Sequence, residues 1–206
     1  MKVRPVGESG LLVEVADLET VHRLAAALRS AALPGVVDIV PGYSTVLVTG
    51  DPERLDLPRL ARDLPSWELP PAESITGKLV DIHVVYDGED LDEVCELTGL
   101  SDVEVVRRHT APEYVVALLG FSPGFPYLVG LDEALHVARL ATPRTLVPAG
   151  SVGLAGDQTG IYPTASPGGW RLIGRTDVVL FDVTRQPPAL LAPGDRVRFQ
   201  PIARGC

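Results

Sequence analysis

GFSPGFPYLVGLDEALHVARLATPRTLVPAGSVGLAGDQTGIYPTASPGGWRLIGRT, residues 120–176, is the stretch on which the reading of the fold turns. Ten of the protein's twenty glycines fall inside it, with six prolines and one of its two tryptophans, and its three carboxylates face four arginines. Since the whole chain carries a formal charge of −9, this stretch is a near-neutral island in an acidic protein. Glycine reaches backbone conformations closed to other residues, and proline fixes φ and removes a donor. Together, at this density, they set chain direction and let one backbone approach another, or a ligand, closely. Short apolar runs lie at Val152–Ala155 and Trp170–Ile173, and beyond the stretch at Val178–Phe181 and Arg196–Phe199, most of them closely bounded by Gly or Pro. Many short strands with such turns indicate a barrel or a sandwich.

Upstream, the pattern changes. Lys2–Val6 and Leu11–Val15 are β-prone runs around Gly7-Glu8-Ser9-Gly10, a hairpin signal. From Asp17, a candidate N-cap, apolar residues recur at Leu18, Val21, Leu24, Ala25 and Leu28, the spacing of one buried helix face. Leu33-Pro34-Gly35 ends that helix, and strands are predicted over Val36–Val40 and Ser44–Val48. Pro52–Leu64 reads as a second helix with Pro58 awkwardly inside it. The proline- and serine-containing segment Leu64–Gly77 is the one composition shift and the expected linker. Past it, Lys78–Tyr86 and Glu113–Leu119 read as strands, and Asp90–Leu97 and Ser101–His109 as short helices. Asp90 and Ser101 are their expected caps, Ser101 with Glu104 in capping-box spacing. Two domains follow, residues 1–76 and 77–206.

Composition narrows the function classes. A 206-residue chain that is 46% hydrophobic is long enough to bury a real core. Cys95 and Cys206 stand far apart with no metal-ligand spacing, so neither a disulfide framework nor a zinc site is indicated. MKVRPVGESG contains no apolar signal region, and no apolar run has the length of a membrane span, so a cytoplasmic location is expected. A sequence pI near 4.9, without a basic stripe, argues against nucleic-acid binding.

No P-loop, G-x-S-x-G elbow or H-E-x-x-H is present, and Gly150-x-x-Gly153-x-x-Gly156 has the wrong spacing for a dinucleotide fingerprint. The four histidines show no metal-ligand spacing, so no metal site is expected. What remains is a set of polar residues set among glycines: Ser122, Arg144, Ser151, Gln158, Thr159, Ser166 and Arg175. Guanidinium forks beside small residues and free backbone N–H groups suit carboxylate or phosphate. Structural ion pairs suit the same arginines equally well. His109, at a predicted helix end, fits either a proton carrier or a side chain meeting the last carbonyls. Trp170 fits a core plug better than a stacking platform, because the chain has few aromatics to fill its core.

GFSPGFPYLVGL (120–131), PRTLVPAGSVGLAGDQTGIYP (143–163) and SPGGWRLIGRT (166–176) resemble the signature blocks of the 5-oxoprolinase B-subunit family, also called allophanate hydrolase subunit 1 or KipI-like proteins. His109, Thr110 and Tyr114 match the stretch before the first block. The resemblance implies a small α+β N-terminal domain followed by a mainly-β, cyclophilin-like barrel domain. It also implies an enzyme subunit, inactive alone, that acts with the KipA-like C subunit and a third oxoprolinase subunit. The implied reaction is the ATP-dependent opening of 5-oxoproline to glutamate. Similar domains occur within the carboxyltransferase part of urea carboxylase. One bacillar relative inhibits a sporulation histidine kinase, so a regulator that binds a sensor histidine kinase is the alternative. The allophanate name reads as a misnomer, since no amidase serine-lysine signature is present.

The implied chemistry assigns expected roles. Opening a lactam at neutral pH is slow because amide resonance resists attack, and ATP can overcome this by phosphorylating the carbonyl oxygen. The site must then hold phosphate and carboxylate charge and exclude water. Arg144 and Arg175 are the expected anion clamps. Ser122, Ser151, Gln158, Thr159 and Ser166 are expected to orient the small-molecule substrate, and His109 to carry the proton. ATP enters as cosubstrate of the complex.

Overall fold

Asp17 starts the first long element: its carboxylate accepts the N–H of Thr20 at 2.8 Å. The computed structural model describes residues 1–74 and 77–203. The chain divides into two compact units, Met1–Thr76 and Gly77–Cys206. In the first, β1 (Lys2–Val6), β2 (Gly10–Glu14), α1 (Leu18–Ala31), β3 (Val36–Pro41), β4 (Thr45–Gly50) and α2 (Leu57–Asp63) follow one another. The strands form an antiparallel sheet of order β1-β2-β4-β3. Pairing Leu11 with Val48 and Val13 with Val46 puts alternate residues on one face. That face packs with Val21, Leu24 and Leu28 of α1 in one core.

Two expectations shift here. α2 begins five residues later than Pro52, because Asp56 caps it by accepting the N–H of Arg59 at 2.9 Å. Pro58 therefore lies in the first turn, where its missing N–H has no partner to lose. The expected linker is also partly bound: Leu64 is buried, and Trp67 and Leu69 pack on the first core. Arg23 donates to the carbonyls of Pro70 and Leu69 at 2.7 and 3.4 Å. Ile75, Thr76 and residues 204–206, Cys206 included, lie outside the described residues.

The second unit contains β5 (Leu79–Val84), α3 (Leu91–Thr98), α4 (Asp102–Thr110), β6 (Tyr114–Leu119), β7 (Pro126–Val129), β8 (Arg144–Val147), β9 (Ser151–Ala155), β10 (Gln158–Ile161), β11 (Ser166–Gly168), β12 (Arg171–Arg175) and β13 (Arg196–Pro201). Seven strands form one sheet of order β12-β9-β10-β7-β6-β13-β5, and β11 pairs with β8 in a separate ribbon. The two edges of the larger sheet meet. Val85, just past β5, and Arg175 of β12 exchange two backbone hydrogen bonds of 2.9 Å, and the N–H of Gly88 and of Asp90 reach the carbonyls of Ile173 and Leu172 at 3.2 and 2.9 Å. The sheet is thereby a nearly closed barrel, filled by residues such as Ile82, Val84, Val116, Leu128, Leu154, Ile161, Val197 and Phe199. Val94 of α3 and Val105 of α4 join this core.

Four strands escape the apolar-run reading, β7, β8, β10 and β11, because they are short and carry Gly, Pro, Arg or Gln. Conversely, Val178–Phe181 forms no strand: only Phe181 bridges, to Ala189, while Val179 stays exposed.

Closure depends on two glycines facing the opposite edge. A Cβ at Gly88 would lie 2.3 Å from the carbonyl oxygen of Leu172, and one at Gly174 would lie 2.7 Å from that of Val85. These are backbone obstacles that no rotamer change relieves. Gly88→Ala and Gly174→Ala are each expected to destabilise the second unit by about 1–3 kcal/mol or more, read as the midpoint of denaturant unfolding. Unchanged midpoints would show that the seam does not hold the barrel.

Candidate functional site

DGEDLDE, residues 87–93, lies at the seam and collects three of the four arginines of the glycine-rich stretch. Arg144 is bound twice, its Nε 2.6 Å from Glu89 and its Nη2 2.5 Å from Oδ1 of Asp90. Arg171 pairs with Glu93, and Arg175 donates its Nε–H to Oδ2 of Asp87 at 3.2 Å. Asp90 is the buried member, and its Oδ2 accepts the N–H of Leu172 at 2.6 Å. The expected N-cap of α3 makes no capping bond with its side chain. One oxygen is turned instead to the β12 edge of the barrel and the other to Arg144 of the β8–β11 ribbon, so that both are satisfied, as a buried carboxylate requires.

A cleft of about 350 Å³ opens beside this seam, lined by Asp87, Glu89, Leu146, Ser151, Leu172 and Arg175 among others. It brings Ser151 and Arg175 together, with Arg144 alongside through Glu89. Arg175 is the accessible cation of the set, with its side chain 54% exposed, against 22% for Arg144. A larger groove, about 750 Å³, lies in the first unit between α1 and residues 67–71, but its one ionisable lining residue is Glu68. Volume without reactive groups makes no site. Among the described residues no cluster of His, Cys, Asp and Glu could hold a metal ion.

His109 and Thr159 are elsewhere, fully buried inside the barrel. Thr159 Oγ1 donates to the carbonyl of Gly153 at 3.0 Å, so its oxygen accepts from His109 Nε2 at 2.9 Å. That leaves Nδ1 as the acceptor for the hydroxyl of Tyr86 at 2.7 Å. The ring also lies 4.5 Å from that of Phe199. Burial holds the imidazole neutral, with its pKa pushed down to about 3. Neither nitrogen is open to a ligand.

The remaining predicted residues do not converge on the cleft. Gln158 opens β10, half-buried. Ser122 and Ser166 each bury a hydroxyl oxygen that has no hydrogen-bond partner among the described residues. Ser122 belongs to the turn that carries Phe121 at φ 64, a left-handed conformation unusual for a bulky side chain. Around that turn Phe125, Tyr127, Tyr162 and Trp170 form an aromatic cluster, with Arg139 stacked on Trp170 at 5.8 Å. Sequence reasoning missed Arg139, although it is one of the four arginines of the stretch.

The profile of the carboxyltransferase domain, subdomain C and D, matches residues 1–191. The chain is 45% identical to the 5-oxoprolinase B subunit of Escherichia coli O157:H7, over 97% of this chain and 95% of that protein. It is 36% identical to the protein of that name in Bacillus subtilis (strain 168), over 98% of this chain and 93% of the relative. Among solved structures, TTHA0988 superposes with a TM-score of 0.85 at 42% identity over 98% of this chain. The chain spans 41% of the length of TTHA0988, so the same architecture is there joined to further sequence.

The buried imidazole gives the protein a specific acid response. Its folded pKa is depressed from 6.5 to about 3, so its contribution is complete above pH 6.5 and is lost as the pH falls toward 3. The limiting slope is about 1.4 kcal/mol per pH unit. Between pH 6.5 and 5, above the range of ordinary carboxylates, the wild-type protein is expected to lose roughly 1–2 kcal/mol of stability. His109→Gln is expected to be less stable at pH 7 and to lack that slope. Equal slopes in urea unfolding would place the imidazole in contact with water.

Proposed function

Because the chain belongs to the family of the carboxyltransferase domain, subdomain C and D, together with the 5-oxoprolinase B subunits, we propose that it is one subunit of an ATP-dependent 5-oxoprolinase. The observation that carries this reading is the 45% identity to a 5-oxoprolinase B subunit over nearly the whole of both chains. The assembly opens the lactam of 5-oxoproline to glutamate, with the KipA-like C subunit as this chain's direct partner and a third subunit completing it. The 41% share of TTHA0988 supports a fold that works beside other sequence. The second unit is read as a cyclophilin-like barrel, and the units 1–76 and 77–206 as separate domains. No helix among the described residues is long and apolar enough to cross a membrane.

The seam does not fit a nucleotide. Each of its arginines already faces a carboxylate, and the exposed Glu89 on the cleft wall opposes a multiply charged triphosphate far more than a single carboxylate. We therefore assign ATP to another subunit, and no step involving it is assigned to this chain. Arg175 is the anion-holding residue proposed for the cleft, since its single bond to Asp87 is exposed and exchangeable, and Ser151 is its hydroxyl neighbour. Arg144 is assigned to holding Asp90. His109 and Thr159 are assigned to the barrel interior, replacing the proton-carrying and substrate-orienting roles expected of them.

Two measurements test this reading. Co-expression with the neighbouring subunits is expected to yield a complex with 5-oxoproline-dependent ATP hydrolysis, while the chain by itself shows none. A chain that matches the complex in rate, or an assembled complex with no response to 5-oxoproline, overturns it. Within an active complex, Arg175→Ala is expected to lower the coupled rate at least about tenfold, roughly 1.4 kcal/mol of transition-state stabilisation, with assembly intact. Full retention of the rate moves anion binding away from this cleft.

A further inference from the structure

Three of the four arginines in the glycine-rich stretch are held by the 87–93 carboxylates, and the fourth is not. Arg139 is exposed, and among the described residues it forms no ion pair and no hydrogen bond. Its guanidinium lies over the face of Trp170, 5.8 Å from the ring centroid. An arginine in an acidic protein that no carboxylate has claimed is available to an external anion, and stacking on an indole fixes its plane without neutralising it.

Beside it lies a recess of about 90 Å³, lined by Phe121, Phe125, Tyr127, Tyr162 and Trp170 and by the Gly168–Gly169 backbone. No carboxylate lines it. At about 30 Å³ per water, that space holds roughly three waters, enough to seat one side of a small ring and far short of a nucleotide. The walls are stiff: Phe125 meets Tyr162 and Trp170 edge-to-face at 5.2 and 5.4 Å, and Gly168 is required because a Cβ there would lie 2.3 Å from the hydroxyl of Tyr162. Phe121 stands at the mouth, 62% exposed, on a strained left-handed backbone. Strain of that kind persists where the surroundings enforce it, and it clusters at ligand clamps.

We propose that this recess is a binding site for a small ring carrying a carboxylate, the ring between the aromatic walls and the carboxylate on Arg139. Resting on the oxoprolinase reading, the ligand class is a five-membered lactam acid, and the recess is a substrate subsite distinct from the cleft at Arg175. Aromatic faces favour a compact ring over an extended chain, and the guanidinium selects the acid over the neutral lactam.

Arg139→Gln and Arg139→Lys in the reconstituted complex test the proposal. Arg139→Gln is expected to raise the KM for 5-oxoproline at least tenfold while kcat changes less than threefold, and Arg139→Lys to recover part of the loss. An unchanged KM in an active complex overturns the subsite and leaves the oxoprolinase reading standing. A second measurement does not depend on turnover. In the full chain with Trp67→Phe, so that Trp170 is the one remaining tryptophan, 5-oxoproline is expected to change the fluorescence in a saturable way. Pyrrolidin-2-one, which lacks the carboxylate, is expected to give a markedly weaker response, and Arg139→Gln to abolish the difference between the two. If the complex proves inactive toward 5-oxoproline but this response persists, the recess stands and the reaction is wrong. No response, an equal response to both compounds, or a response only to proline-containing peptides overturns the subsite.

Discussion

Asp90 is the interaction on which the second unit depends. A barrel with two free edges would expose a row of unpaired backbone groups, and closing it requires the segment after β5 to lie against β12. Backbone bonds from Val85, Gly88 and Asp90 make that junction, and the Asp90 carboxylate adds the N–H of Leu172 and the guanidinium of Arg144. A charge this deeply buried is tolerated only when its oxygens are satisfied, so the pair holds the seam in one register. The strand junction, the helix start at Leu91 and the β8–β11 ribbon are thereby coupled through one side chain.

The same interaction distributes the positive charge of the glycine-rich stretch. Arginines 144, 171 and 175 are committed in different degrees to the acidic segment, and Arg139, over the ring of Trp170, is left unneutralised among the described residues. Two concave regions of different chemistry result. The cleft at Ser151 and Arg175 is mixed in charge and open, whereas the recess beside Arg139 is aromatic and small.

Inside the barrel, His109 takes part in a closed chain of donors and acceptors from Tyr86 through Thr159 to the carbonyl of Gly153. Every proton in the chain is assigned by its neighbour, which fixes the imidazole tautomer. Such a network gives specificity to a core otherwise made of interchangeable aliphatic residues. Its location adds what residue order does not carry: the ring is buried, with both nitrogens occupied by neighbours.

Much of the architecture was legible in the residues themselves. The Asp17 cap, the periodicity through Leu28, the Ser101–Glu104 capping spacing and the turn-bounded strands are local signals, set by neighbours three or four residues away. The family was legible too, in long blocks of matching residue order. Pro58, Asp90 and Val178–Phe181 were misread because each was judged by local propensity while its role was set by a cap, a distant strand edge and an exposed loop. Charge pairing was the largest gap. Asp90 meets Arg144 and Leu172 across sequence separations of 54 and 82 residues, distances at which a one-dimensional pattern carries no pairing information. By itself the sequence determined the longer helices and strands, the family and the set of polar residues available. Only the tertiary structure decided which arginines are neutralised, which histidine is sealed and which cation faces open space, because those depend on chain segments that meet solely when the barrel closes.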